Sequence, residues 1–170
     1  MTVESVRQFL STYAPDVEVI ELPGSTATVE LAAAGHGVEP AQIAKTLSLR
    51  VKDRTLLVVT CGVARLNNKK VKSVLGGKAT MLAAEEVAAL TGHPVGGVCP
   101  FGLATPLPVY CDVSLRAFDE VLPAAGSTNS ALRISPLRMA ELVKADWVDV
   151  CDVPRETAPL PALEPGRASS

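Results

Sequence analysis

The sequence predicts an α+β domain with a mixed or largely antiparallel sheet, and three observations predict it. Two apolar runs, "TLSLRV" (46–51) and "TLLVVT" (55–60), sit on either side of a short charged link, the pattern of a hairpin in the middle of a sheet. Helical periodicity comes in separate blocks and does not alternate regularly with strands, as a doubly wound fold would require. Glycine and proline punctuate these blocks at short intervals. At 170 residues the chain is long enough to bury one core without disulfide staples. Residues 1–152 read as one domain. Residues 153–170, with four prolines and the ending "GRASS", read as a flexible tail.

Taken in order, Val3, Val6, Leu10 and Tyr13 recur at helical spacing until Pro15 stops them. Val17 to Leu22 alternates apolar and acidic residues, as a half-buried strand does. Thr26 to Ala34 predicts a helix closed by Gly35 or Gly37, and Pro40 suits the start of a short helical turn. The two apolar strands follow, linked by Lys52-Asp53-Arg54. Helices are expected over 69–75 and 84–90, the second closed by Gly92. Strands are expected at 107–112, 118–122, 131–134 and 147–151, with a helix from Pro136 to Ala145.

Composition excludes several function classes. The apolar runs are far too short to span a bilayer and no export signal is visible, so a cytoplasmic location and no membrane partner are expected. The cysteines at 61, 99, 111 and 151 form no C-x-x-C pair. With only His36 and His93 beside them, neither a metal nor a redox site is expected. Charge is unevenly distributed: residues 41–78 carry nine of the sixteen Lys and Arg against one acid, Asp53. That segment is net +8, leaving −10 for the rest, so a polyanion would be held at one place only.

Familiar catalytic signatures fail. "LGGKAT" (75–80) lacks the first P-loop glycine and the Ser or Thr after Lys78, no G-x-G-x-x-G follows a strand, and Ser127 has no G-x-S-x-G elbow. No cofactor is implied. The stretch "TGHPVGGVCPFG" (91–102) is different, packing four glycines and two prolines around His93 and Cys99. Gly96 and Gly97 permit close approach of a ligand, and successive N–H groups near Gly96 to Cys99 suit a carbonyl oxygen that gains negative charge. A plain glycine turn accounts for the same pattern. Lys45, in "QIAKTLSL", begins a strand among apolar neighbours, a setting that points a lysine into a cleft or lets it snorkel to water.

"QIAKTL" (42–47), "RLNNKKV" (65–71), "TGHPVGGVCPFG", "LPVYCD" (107–112) and "AAGS" (124–127), in this order, resemble the YbaK/EbsC family of aminoacyl-tRNA deacylases and prolyl-tRNA synthetase editing domains. The resemblance covers about Thr26 to Val150 and implies the YbaK-type α+β fold. It implies hydrolysis of the ester on mischarged tRNA, typically tRNA(Pro) carrying a small amino acid such as alanine, cysteine, serine or threonine. It places catalysis on Lys45 with the backbone of Gly96 and Gly97, and substrate binding on Thr46, His93, Val98, Cys99, Pro100, Gly102 and Gly126. Lys69, Lys70, Lys72 and Lys78 would follow the tRNA backbone, or simply be solvated. Prolyl-tRNA synthetase is an implied partner. The strand "VEVIEL" lacks the tyrosine, and "GSTNSALRIS" the acidic residue, that some members carry. Two other readings stay open: a non-catalytic adaptor that binds tRNA or a synthetase, and a thiol hydrolase that uses Cys99 with His93.

Overall fold

The computed structural model describes residues 2–154. Its elements in chain order are α1 (Thr2–Tyr13), β1 (Ile20–Glu21), α2 (Val29–His36), β2 (Ile43–Val51), β3 (Arg54–Cys61), β4 (Arg65–Leu66), α3 (Asn68–Leu75), β5 (Ala79–Met81) and α4 (Ala84–Thr91). Then follow β6 (Val109–Asp112), β7 (Leu122–Pro123), β8 (Ser130–Ala131), α5 (Pro136–Val143), β9 (Asp146–Val148) and β10 (Cys151–Asp152). Single 3-10 turns cover Pro40–Gln42 and Val113–Ala117. None of these helices is long and apolar enough to cross a membrane.

The main sheet is mixed, in the order β5-β2-β3-β6-β9, with β7 also on β2. β2 pairs antiparallel with β3 and β5 and parallel with β7, while β6 runs parallel to β3 and to β9. β3 lies at the centre and is buried on both faces, which is why its sequence is continuously apolar. Leu57 and Val59 pack on one side with Val6 and Leu10 of α1, Phe101, Leu115 and Met139 of α5. Leu56 and Val58 pack on the other with Val71 and Leu75 of α3, Val148 and Val150. A smaller cluster joins Ala32 and Ala33 of α2 to Ile43 and Leu122. That cluster seats α2 beside the start of β2.

Local chemistry explains most boundaries. Thr28 caps α2 by accepting from Leu31 N, so the helix starts later than the expected Thr26, and Gly37, at φ 70°, closes it two residues later than Gly35 would. Asn67 caps α3 by accepting from Lys70 N. The β2–β3 loop is shorter than the three residues the sequence suggests. Val51 pairs with Arg54, leaving Lys52 and Asp53 as the turn, with Lys52 at φ 57°.

Several strands differ from expectation. Only Ile20 and Glu21 of the 17–22 run pair, with β8, because Val17 and Val19 pack on the core as irregular chain. The run 147–151 divides between β9 on the main sheet and β10 on β4. The expected 118–122 and 131–134 strands reduce to β7, β8 and a bridge between Val121 and Ile134. Of the expected tail, Val153 packs against the second cluster, and 155–170 lie outside the described residues.

Candidate functional site

A cavity of about 250 Å³ opens where β2, the segment before α2, and the glycine loop meet. Its walls are mostly apolar, with Val29, Ile43, Val87 and Leu122 among them, and Met81 and Val95 stand exposed at the lining. Lys45, Thr46 and Ser48 line it from β2, and Gly96 and Val98 line it from the loop.

Lys45 is half-buried, and its Nζ donates to the Ala64 carbonyl at 2.7 Å. That carbonyl is presented by the turn after β3, where Ala64 N donates to Cys61 O at 3.0 Å. The turn fits only because Gly62 has no side chain, since a Cβ there would fall 2.1 Å from the Pro40 carbonyl. Burial lowers the pKa of Lys45 from its usual value. Cys151 and Cys61 oppose the shift, Arg65 adds to it, and Glu30 opposes it weakly. One N–H of the amine is committed to Ala64, so two remain for a ligand when it is protonated.

The glycine loop is shaped by close approach. Gly97 N donates to Pro94 O at 2.9 Å, closing a turn whose third residue, Gly96, sits at φ 93°, a value that suits glycine. A Cβ on Gly96 would lie 2.9 Å from the Ala27 methyl, and one on Gly97 would lie 2.7 Å from the Ser127 backbone. Gly126 N donates to Gly97 O at 3.0 Å and so fastens the loop to the 124–127 segment. The Gly97 N–H is therefore spent inside the loop. Those of Gly96 and Val98 carry no hydrogen bond among the described residues.

Other candidate residues lie behind this wall. His93 and Cys99 are completely buried and do not line the cavity. His93 Nε2 lies 2.8 Å from the Phe101 carbonyl, so it bears the hydrogen and donates. Cys99 Sγ is 3.7 Å from that same nitrogen, which cannot then accept a thiol proton. Burial also pushes the Cys99 thiol up to about 12 and lowers the His93 pKa. This geometry gives no activated thiol. Pro100, Gly102 and Gly126 are likewise off the cavity wall. Gly102, at φ 59°, packs on the Ser5 carbonyl, which a Cβ would approach to 2.5 Å. These residues support the loop and do not touch the cavity.

Among the lysines, Lys69, Lys72 and Lys78 are exposed, whereas Lys70 bonds Asp149 Oδ1 and the Cys151 carbonyl, both at 3.0 Å. No group of three or more His, Cys, Asp and Glu side chains placed to hold a metal occurs among the described residues. Sequence reasoning missed the segment from Thr26 to Val29, which walls the cavity opposite β2. Its only local signal is the Thr28 cap, which marks a helix start and says nothing of a pocket.

The model of the aminoacyl-tRNA editing domain matches residues 24–142. An uncharacterized protein YwhH of Bacillus subtilis is 45% identical over 153 residues, spanning 89% of this chain and 98% of that protein. A proline–tRNA ligase of Solidesulfovibrio magneticus is 37% identical over 148 residues, 85% of this chain but 24% of the ligase. A crystal structure of a candidate trans-editing enzyme for prolyl tRNA synthetase superposes with a TM-score of 0.82 at 34% identity, covering 89% of this chain and 97% of that one. Lys45, the glycine loop and the cavity between them all lie within the matched segment, and the chain belongs to the aminoacyl-tRNA editing domain family.

Proposed function

We propose that this protein is a free-standing aminoacyl-tRNA deacylase that hydrolyses the ester of mischarged tRNA, with tRNA(Pro) carrying a small amino acid as its substrate. The observation that carries this reading is one apolar cavity whose lining includes Lys45 together with Gly96 and Val98, two residues whose N–H groups carry no hydrogen bond among the described residues. An aminoacyl ester is already activated, so the site need only hold it, polarise its carbonyl and admit water. Water attacks the carbonyl carbon, and the loop N–H groups receive the oxyanion at about 3 kcal/mol per well-placed donor. The bond to the ribose oxygen then breaks, that oxygen regains a proton, and free amino acid and tRNA leave.

Lys45 keeps two donors for the sugar or phosphate oxygens of the terminal adenosine. The walls of Val29, Ile43 and Leu122 suit a small uncharged side chain, and a size filter for it would come from contact with these groups. Exposed Lys69, Lys72 and Lys78 lie ready to follow the acceptor-stem phosphates. Prolyl-tRNA synthetase is the natural source of such a substrate.

The test is release of labelled amino acid from tRNA(Pro) charged in turn with alanine, cysteine, serine, threonine and proline, by wild type and Lys45→Ala. Release of one or more small residues with proline spared, lost in the variant, is the expected result. Binding of tRNA without release from any of them would replace the enzyme with an adaptor.

A further inference from the structure

The outer edge of β2 is interrupted at the cavity. β7 pairs with it only at Ile43 and Ala44, and β5 only at Leu49 to Val51. The β5 register runs one step further, where Leu82 N donates to the Ser48 carbonyl at 3.1 Å. In an antiparallel ladder, alternate residues turn both N–H and C=O to the same edge. Ser48 therefore sets the phase, and Thr46, two residues away, directs its own N–H and C=O to the same edge. The chain beyond Leu82 turns into α4 at Ala84 and leaves β2, so no residue takes the ladder position opposite Thr46. No backbone hydrogen bond crosses that edge at Thr46 among the described residues. Its side chain repeats the pattern: Thr46 belongs to the cavity lining, and its Oγ1 is buried without a hydrogen-bond partner.

We propose that the aminoacyl group of the substrate occupies this unpaired ladder position, read by Thr46. An α-aminoacyl unit has the N–Cα–C=O spacing of a peptide residue, so it can exchange both bonds with Thr46 as an opposing strand residue would. The α-ammonium donates to the Thr46 carbonyl and to Oγ1, and the ester carbonyl accepts from the Thr46 N–H as well as from the loop N–H groups that receive the oxyanion. No carboxylate lines the cavity, so the ammonium must be received by neutral oxygens such as these. Lys45, next along the strand, also borders the cavity, with its amine bonded to the Ala64 carbonyl at 2.7 Å. Thr46 thereby becomes a specificity-determining residue that selects α-amino acid esters over simple acyl esters. This rests on the deacylase reading above and adds the way the substrate is oriented.

The test uses acceptor-stem minihelices whose 3′ end carries an alanyl or a propionyl group through a stable amide, the second lacking the ammonium. Wild type is expected to bind the alanyl form at least about tenfold tighter. Thr46→Val should lower that ratio to about threefold or less, and Thr46→Ser should restore it, with folding of each variant checked by circular dichroism. Equal binding of the two amides by wild type, no binding of either, or an unchanged ratio in Thr46→Val would overturn the proposal. Hydrolysis of the alanyl ester, assayed alongside, reports separately on the deacylase reading, since the amides measure recognition without turnover.

Discussion

The loop from Gly92 to Gly102 contains the two side chains of most obvious reactivity, His93 and Cys99, and both are fully buried, with His93 Nε2 and Cys99 Sγ turned to the Phe101 carbonyl and His93 Nδ1 enclosed without a partner. On β2, by contrast, Lys45 and Thr46 both belong to the cavity lining, the amine giving one of its N–H groups to Ala64 and the hydroxyl having no partner. The loop uses its side chains to hold a backbone shape. The strand, whose edge pairing stops on either side of Thr46, presents polar groups that the fold satisfies only in part. Reactivity in principle and availability in the fold are separate properties here, and availability marks the cavity.

The largest expected effect tests the β2 side. Lys45→Met should lower kcat/KM for the edited aminoacyl-tRNA by about 100-fold or more while leaving the Tm at or above that of wild type. Burial lowers the Lys45 pKa, so the folded chain binds fewer protons than the unfolded chain just below the usual lysine value. Stability should therefore rise with pH as it climbs from the folded pKa towards 10.5, and the variant should lose that rise in urea titrations. A Tm that falls with the activity would make Lys45 a structural residue and remove the contrast.

Next comes the loop backbone. Gly97→Ala forces a Cβ against the Ser127 backbone and should destabilise the fold by about 1–3 kcal/mol, with loss of most activity. If it is silent in both, the close approach of loop and 124–127 segment is not what shapes the cavity.

Smaller effects sharpen the comparison. Replacing Lys69 and Lys72 together by alanine should reduce the slope of log affinity against log salt for tRNA by about 2, with the kcat on bound substrate unchanged. His93, lowered by burial, should reduce stability as pH falls below its usual 6.5, because the unfolded chain then takes up a proton that the folded chain refuses. His93→Gln should lessen that acid sensitivity, leaving the part due to His36, which burial also lowers. The smallest effect belongs to Cys99. With its thiol buried and pushed up to about 12, iodoacetamide at pH 8 should leave activity intact, and Cys99→Ala should keep it within about threefold. Rapid inactivation traced to Cys99 would revive the thiol mechanism and reverse the roles of the two regions.

Much of this was legible in local pattern. Alternation and continuous apolar runs mark β2 and β3, spacing marks the helices, and four glycines mark a loop whose backbone can approach a ligand. These features depend on period, capping and φ, which neighbouring residues settle among themselves. The short strands β4 and β5 escaped, because so short a pairing is made by a distant partner and has no period of its own.

By itself the sequence determined an α+β chain, its family and the pairing of Lys45 with the glycine loop. Only the tertiary structure decided which groups face the cavity. It turned His93 and Cys99 inward, spent the Gly97 N–H on Pro94, and set Ala64 under the Lys45 amine. It also interrupted the pairing along β2 at Thr46. The reason is physical: a polar group's availability depends on whether some other part of the chain, often far away in sequence, comes close enough to satisfy it.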